Sequence, residues 1–172
     1  MLRFWSFLVG TLAVLAISQT TTASDKEPKF SDADFVKTAI SGGMMEVELG
    51  RLGMNKAMNP DVKSFAAKME TDHTVLNKDL IKLAEAMKIE PPKKMAKKHQ
   101  EMVDHMTNYT GKNFDRDFIN HMVKDHETDI AEFKKASRDA KNAELKQFAT
   151  KTLPTLEEHL RLAKEIKEKL DK

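Results

Sequence analysis

The sequence predicts an all-α protein made of two helical hairpins joined by a long crossover. Three observations carry that reading. Apolar residues recur at three- and four-residue spacing over four long stretches, the period of a helix with one buried face. Helix-starting and helix-stopping residues punctuate the chain between those stretches. The two halves also repeat at one constant offset. Phe35-Val36 answers Phe118-Ile119, Val47 answers Ile130, and Lys63-Ser64-Phe65-Ala66 answers Lys146-Gln147-Phe148-Ala149.

The elements follow in order. Arg3, the apolar run Phe4 to Ile17, the polar stretch Ser18 to Thr22 and the small residue Ala23 have the layout of a secretory signal peptide over residues 1–23. The run is shorter than the roughly 20 residues a membrane span needs, and nothing after residue 24 could span one. A short linker, 24–30, precedes the folded domain, 31–172. Ser31 reads as an N-cap with Asp34 at the third helical position, and Phe30 and Phe35 can clip across that turn. The first helix then runs to about Met58. Asn59-Pro60 restarts the chain, Asn59 as cap and Pro60 at the first helical position, where its missing N–H is not needed. The second helix runs to about Met87 and is stopped by Pro91-Pro92. Lys88 to Lys112 is the crossover, with Met95, Met102 and Met106 spaced for a short amphipathic helix. The third long helix spans about Asn113 to Ser137. The fourth spans about Asn142 to Leu170, with Pro154 as an expected kink. Two hairpins and one long crossover describe a ferritin-like four-helix bundle rather than a simple up-and-down one.

Composition narrows the chemistry. Of 172 residues, 29 are basic and 27 acidic, a net charge of +2 that argues against a nucleic-acid binder built on bulk electrostatics. With no Cys there are no disulfides, thiolate metal sites or Cys nucleophiles. No Ser-His-Asp pattern or glycine-rich phosphate loop emerges, and the lysines between Lys93 and Lys98 read as a solvated face. An export signal places the protein outside the cytoplasm. The periplasm is the expected location, with outer-membrane association or secretion as alternatives, and a homo-oligomer stays open.

The heptad lines of the four long helices are apolar or small except at mid-height. There Glu46, His73, His126 and His159 interrupt them, with Asp129 close by. Glu46 stands almost as far before Pro60 as His73 stands after it, so antiparallel pairing puts them level. His126 stands closer before Lys141 than His159 stands after it, a mismatch of about one turn. Polar groups buried without partners cost about 1–3 kcal/mol each. Either the histidines hydrogen-bond the carboxylates and trapped water and merely fix the register, or they bind a transition metal. Neutral imidazole and carboxylate suit Fe, Zn, Mn or Cu. Met69 and Met122, each four residues before a seam histidine, would favour copper if they joined the layer and are otherwise core. Gly42 and Gly43, one turn before Glu46, leave room for an ion or water, or serve close helix packing.

Acid-His pairs recur at Asp72-His73, Asp104-His105, Asp125-His126 and Glu158-His159. Neighbours on a helix point about 100° apart, so each acid either reaches the far nitrogen of a histidine on the next helix or flanks the seam as a charge. His99, His105 and His121 fall off the inner lines and are expected in solvent.

Four segments, Phe35 to Gly50, Val62 to His73, Phe114 to Ile130 and Leu145 to Leu160, resemble a bacterial family of exported ferritin-like proteins. That family is catalogued as a domain of unknown function and often labelled an outer membrane protein. The resemblance implies the bundle and export, and it lends no reaction. Di-iron ferritin-like proteins are a more distant comparison, needing Glu on two helices and Glu-Xaa-Xaa-His on the other two. Glu46 and Glu70-Thr71-Asp72-His73 fit. The fourth helix departs, with Leu156 in place of the Glu before His159, and the third offers His126 and Asp129. A conventional ferroxidase is therefore not expected. The expectation is a metal site of Glu46, His73, His126 and His159, with Glu70 and Asp129 auxiliary, for buffering or stress protection. The alternatives are a non-catalytic envelope or interaction protein whose polar layer only sets register, and a redox enzyme using that metal.

Overall fold

The computed structural model describes residues 29–172, so the signal segment 1–23 and residues 24–28 of the linker lie outside the described residues. Among the described residues there are five helices and no strand. These are α1 (Asp32–Lys56), α2 (Pro60–Ala86), α3 (Lys97–Thr107), α4 (Gly111–Asp139) and α5 (Ala143–Leu170). None is long and apolar enough to cross a membrane. The expected starts hold: the Ser31 side chain accepts from Asp34 N, and that of Asn59 from Asp61 N and Val62 N ahead of Pro60. Asn142 caps α5 by accepting from Leu145 N. The crossover contains its short helix, with Met106 buried and Met102 half-buried, while Met95 lies just before it. At Pro154 the fourth long helix continues without a break.

The hairpins α1–α2 and α4–α5 lie side by side and lock each other at both ends. The Asp32 carboxylate, at the start of α1, accepts from the backbone N–H groups of Lys141 and Asn142 in the α4–α5 turn at 2.8–3.1 Å. Asp115, at the start of α4, accepts in the same way from Met58 and Asn59 in the α1–α2 turn at 2.8–3.3 Å. Asp32 and Asp115 are related by the same offset as the turns they cap. The repeat is thus a pseudo-two-fold in which each hairpin supplies the anion that closes the other's turn. These bonds make α1 antiparallel to α4, and the Lys169–Asp61 ion pair at 2.8 Å sets α5 antiparallel to α2.

Small residues set the distance between α1 and α2. A Cβ at Gly50 would lie 2.8 Å from Ala66 O and Glu70 N, and one at Gly53 would lie 2.5 Å from Ala66 Cβ. Two apolar cores result. One gathers Leu49, Phe65, Met69, Phe114, Phe118 and Met122. The other gathers Phe35, Ile40, Leu80, Phe133, Leu145 and Leu156. Met69 and Met122 thus belong to the apolar filling. Between the cores lies a layer where all four long helices contribute a buried polar residue.

Candidate metal centre

Glu46, His73, His126 and His159 come one each from α1, α2, α4 and α5, and none is more than 4% exposed. His73 Nδ1 is 2.8 Å from Glu46 Oε2, as their nearly equal separation from the turn requires. His126 and His159 also meet, with Nε2 of one 3.3 Å from Nδ1 of the other. Their register mismatch is closed by side-chain direction. Helical side chains lean toward the N-terminus, so on antiparallel helices these two lean toward each other across the offset of about 4.5 Å.

The three imidazoles form a nearly equilateral group, with ring centroids 5.3, 5.3 and 5.7 Å apart. One ring nitrogen of each lies within 4.8 Å of one from each of the others. Which nitrogens are bare follows from what the remaining ones touch. His126 Nδ1 is 3.0 Å from the Met122 carbonyl oxygen, which can only accept, so Nδ1 carries the proton and Nε2 the lone pair. His159 Nε2 is 2.8 Å from Asp72 Oδ2. Hydrogen bonds from Lys68 and His159 hold Asp72 below the ordinary carboxylate value although burial opposes them, so it is an ionised acceptor and His159 Nδ1 is bare. Two lone pairs therefore face each other across 3.3 Å with no proton between them. His73 Nε2 is buried with no partner, as is Glu46 Oε1, which lies 3.6 Å from His126 Nε2.

Protonation is a poor remedy for this arrangement. Burial drives His73 and His159 down to about 4, and drives His126 well below its ordinary value with His73 and His159 adding to the effect. Burial also pushes the Glu46 carboxyl well up, with Asp125 reinforcing it. Three neutral imidazoles, each with its far nitrogen tied to Glu46, Asp72 or a carbonyl, are the donor set that a metal ion takes, with the groups that orient them already in place. The spacing fits as well. Two nitrogens on one tetrahedral ion at about 2.0–2.1 Å are about 3.3–3.4 Å apart.

The other expected residues divide. Asp129 joins Glu46 and Asp125, with one carboxylate oxygen of each within 4.8 Å of the others. Glu70 does not join the layer: its carboxylate pairs with Arg51 at 3.5 Å. The Glu-Xaa-Xaa-His pattern on α2 is therefore not a ligand pair here. Of the acids preceding histidines, Asp72 orients His159 on the neighbouring helix, Glu158 pairs with Arg161 at the surface and Asp104 bonds Gln100. Asp125 is legible in the sequence only as a seam-flanking charge, yet it belongs to the carboxylate group.

Two expectations fail. His99 is buried rather than solvated, its Nδ1 2.7 Å from Ser41 Oγ, which also accepts from Ala96 N and so ties the crossover to α1. His121 is half-buried, with Nε2 lacking a partner, and burial lowers it to about 4. His99 lies on the crossover helix itself, whose packing the seam of a four-helix bundle does not encode; of the three, only His105 is exposed. A cavity of about 450 Å³ reaches Glu46, His73, Asp125 and Asp129 from a rim that includes Lys98 and Glu132. Gly42 preserves it, since a Cβ there would meet only His99 Cε1 at 3.9 Å, whereas Gly43 makes room for Asn77.

The family model described as a domain of unknown function, DUF4142, matches residues 17–166. The chain belongs to that family. No curated protein matches this DUF4142 chain. Among solved structures it is similar to a DUF305 fragment from Deinococcus radiodurans, at 13% identity and TM-score 0.70 over 83% of this chain and 99% of that one. A DUF305 protein from Streptomyces coelicolor, described as secreted, gives 13% identity and TM-score 0.68 over 81% and 92%. A structure described as CopM in the Cu(II)-bound form gives 16% identity and TM-score 0.69 over 82% and 98%. At such identities the likeness is one of fold, and it agrees with the helical bundle of this DUF4142 chain.

Proposed function

We propose that the protein binds one transition-metal ion through His73 Nε2, His126 Nε2 and His159 Nδ1, outside the cytoplasm, as a non-catalytic metal buffer. The observation that carries this reading is the pair of imidazole lone pairs facing each other at 3.3 Å in a buried layer. A layer serving only to set register would place a donor opposite each acceptor, whereas here His73 Nε2 and Glu46 Oε1 also lack partners. A cation held by the three ring nitrogens satisfies His73 Nε2 and the two facing lone pairs together and draws Glu46 back to its carboxylate form.

Three imidazoles without a thiolate suit Cu(II) or Zn(II), and a protein of similar fold has been captured with Cu(II). Glu46 and Asp72 act as orienters of His73 and His159, not as ligands to the same ion. Export to the periplasm rests on the leader-like residues 1–23 and on a similar fold in a protein described as secreted.

Elemental analysis of the exported protein, purified without chelator beside His126→Ala/His159→Ala, tests the reading. One ion per chain in the native protein, and none in a variant of equal helical content, is the expected result. A native protein that takes up no Cu(II), Zn(II) or Fe(II) after loading would overturn it and leave the layer structural.

A further inference from the structure

Beside the imidazoles lies a second group of donors of a different kind, and it does not share their ligand atoms. We propose that Glu46, Asp125 and Asp129 form a separate oxygen-donor site for a hard divalent cation, with Mn(II) as the probe ion, at the floor of the cavity. One carboxylate oxygen of each lies within 4.8 Å of the others. Glu46 is 2% exposed, and the oxygen that His73 leaves free, Oε1, has no hydrogen-bond partner. Asp125 and Asp129 stand one turn apart on α4 and present the same face to it.

Three acids this close can settle in three ways. They can hold protons, as their raised carboxyls do in the metal-free chain, but among the described residues none of the three shares one with another through a hydrogen bond. They can pair with a base, but apart from His73 and His126 at Glu46, among the described residues no Lys, Arg or His lies within 4.0 Å of them. Lys98 lines the same cavity yet is exposed. The third way is a cation from solvent, and the cavity of about 450 Å³ has room for the waters that would complete its shell. Carboxylate and water select Mg, Ca or Mn, while imidazole selects Zn or Cu. The two sites meet at Glu46, which gives Oε2 to His73 and keeps Oε1 for the cation. Position supports the pairing too, because Glu46 and Asp129 are equivalents in the internal repeat and both lie at mid-bundle, where the pseudo-two-fold brings equivalents together.

The test uses the full exported chain saturated with Zn(II) and titrated with Mn(II), free Mn(II) being read by electron paramagnetic resonance. One Mn(II) should bind per native chain, and at least tenfold more weakly to Asp125→Asn/Asp129→Asn, which should still hold one Zn(II). If that double variant loses helical content, Asp125→Asn alone should weaken Mn(II) at least tenfold. His126→Ala/His159→Ala should lose Zn(II) and keep Mn(II). No Mn(II) on the native chain, or undiminished binding by the folded Asn variants, overturns the proposal. Mn(II) lost from the folded His variant overturns it as well, since the sites would then be one. Failure of the histidine site would show separately, as Zn(II) retained by the His variant.

Discussion

The two hairpins are alike at their ends and unlike at mid-height. In the internal repeat Asp32 matches Asp115 and Asn59 matches Asn142, and both pairs do the same work on opposite turns. At mid-height Glu46 matches Asp129, but His73 matches Leu156, His126 matches Gly43 and His159 matches Leu76. Every histidine of the layer therefore stands where the other hairpin has an apolar or small residue. Gly42 likewise stands opposite Asp125, leaving open the space from which Asp125 and Asp129 are reached. Residues that the halves share hold the bundle together. Those that differ form the candidate site, and for stability alone an apolar residue would serve there.

Acid should separate the two sets most strongly. Free histidine titrates near 6.5, while His73 and His159 stay neutral down to about 4. Between those values the unfolded chain binds more protons, so metal-free stability falls as pH falls, by about 1 kcal/mol per pH unit for each histidine. Glu46 and Asp129 act in the opposite sense: raised by burial, they keep protons in the folded state and weaken it as pH rises through their folded values. Five histidines are lowered against three carboxyls raised, so urea midpoints of the metal-free protein at pH 7, 6 and 5 should drop. Midpoints that rise toward pH 5 would mean that the acids act alone and the histidines are not held neutral.

Carrying the apolar choice through the whole layer should have the next largest effect. Glu46→Leu/His73→Leu/His126→Leu/His159→Leu should bind no metal and flatten that pH dependence. By analogy with buried ion networks replaced by apolar residues, it should be about 1–4 kcal/mol more stable than the metal-free native chain. A variant less stable than the native chain in urea would show that the polar layer holds the bundle together.

The shared ends should behave in the reverse way. Asp115→Ala removes a buried carboxylate from two backbone N–H groups and should cost about 2–3 kcal/mol. Asp32→Ala, at the more open end, should cost about 1 kcal/mol. Neither should change metal stoichiometry, which elemental analysis beside urea unfolding would check. At the glycines of α1 the sign of the effect divides. Gly42→Ala adds a methyl in open space and should stabilise the helix by up to about 1 kcal/mol. Gly50→Ala forces backbone apart and should cost about 1–3 kcal/mol. Thermal unfolding of the pair should give shifts of opposite sign.

Much of this was legible in the sequence because a helix repeats its buried face. The seam positions Phe35, Glu46, Leu49, His73, His126, Leu156 and His159 are all buried. The level of Glu46 and His73 could be counted from Pro60, and the orienting role of an acid before a histidine is realised in Asp72. Periodicity could not say how α3 covers α1, so His99 was expected in solvent and is instead bound to Ser41. Nor could it see that the Glu70 carboxylate pairs with Arg51 and not with the layer. Ring tautomers are also invisible to spacing, and they decide the matter here, since they follow from the Met122 carbonyl and Asp72.

The most direct measurement is pulsed electron paramagnetic resonance of the full chain loaded with one equivalent of Cu(II), beside His126→Ala/His159→Ala. Modulation from three coordinated imidazoles in the native protein, absent from the folded variant, is the predicted result. A spectrum with fewer than three imidazoles, or one that the double substitution leaves unchanged, would contradict the central claim that the facing lone pairs of this buried layer hold a metal.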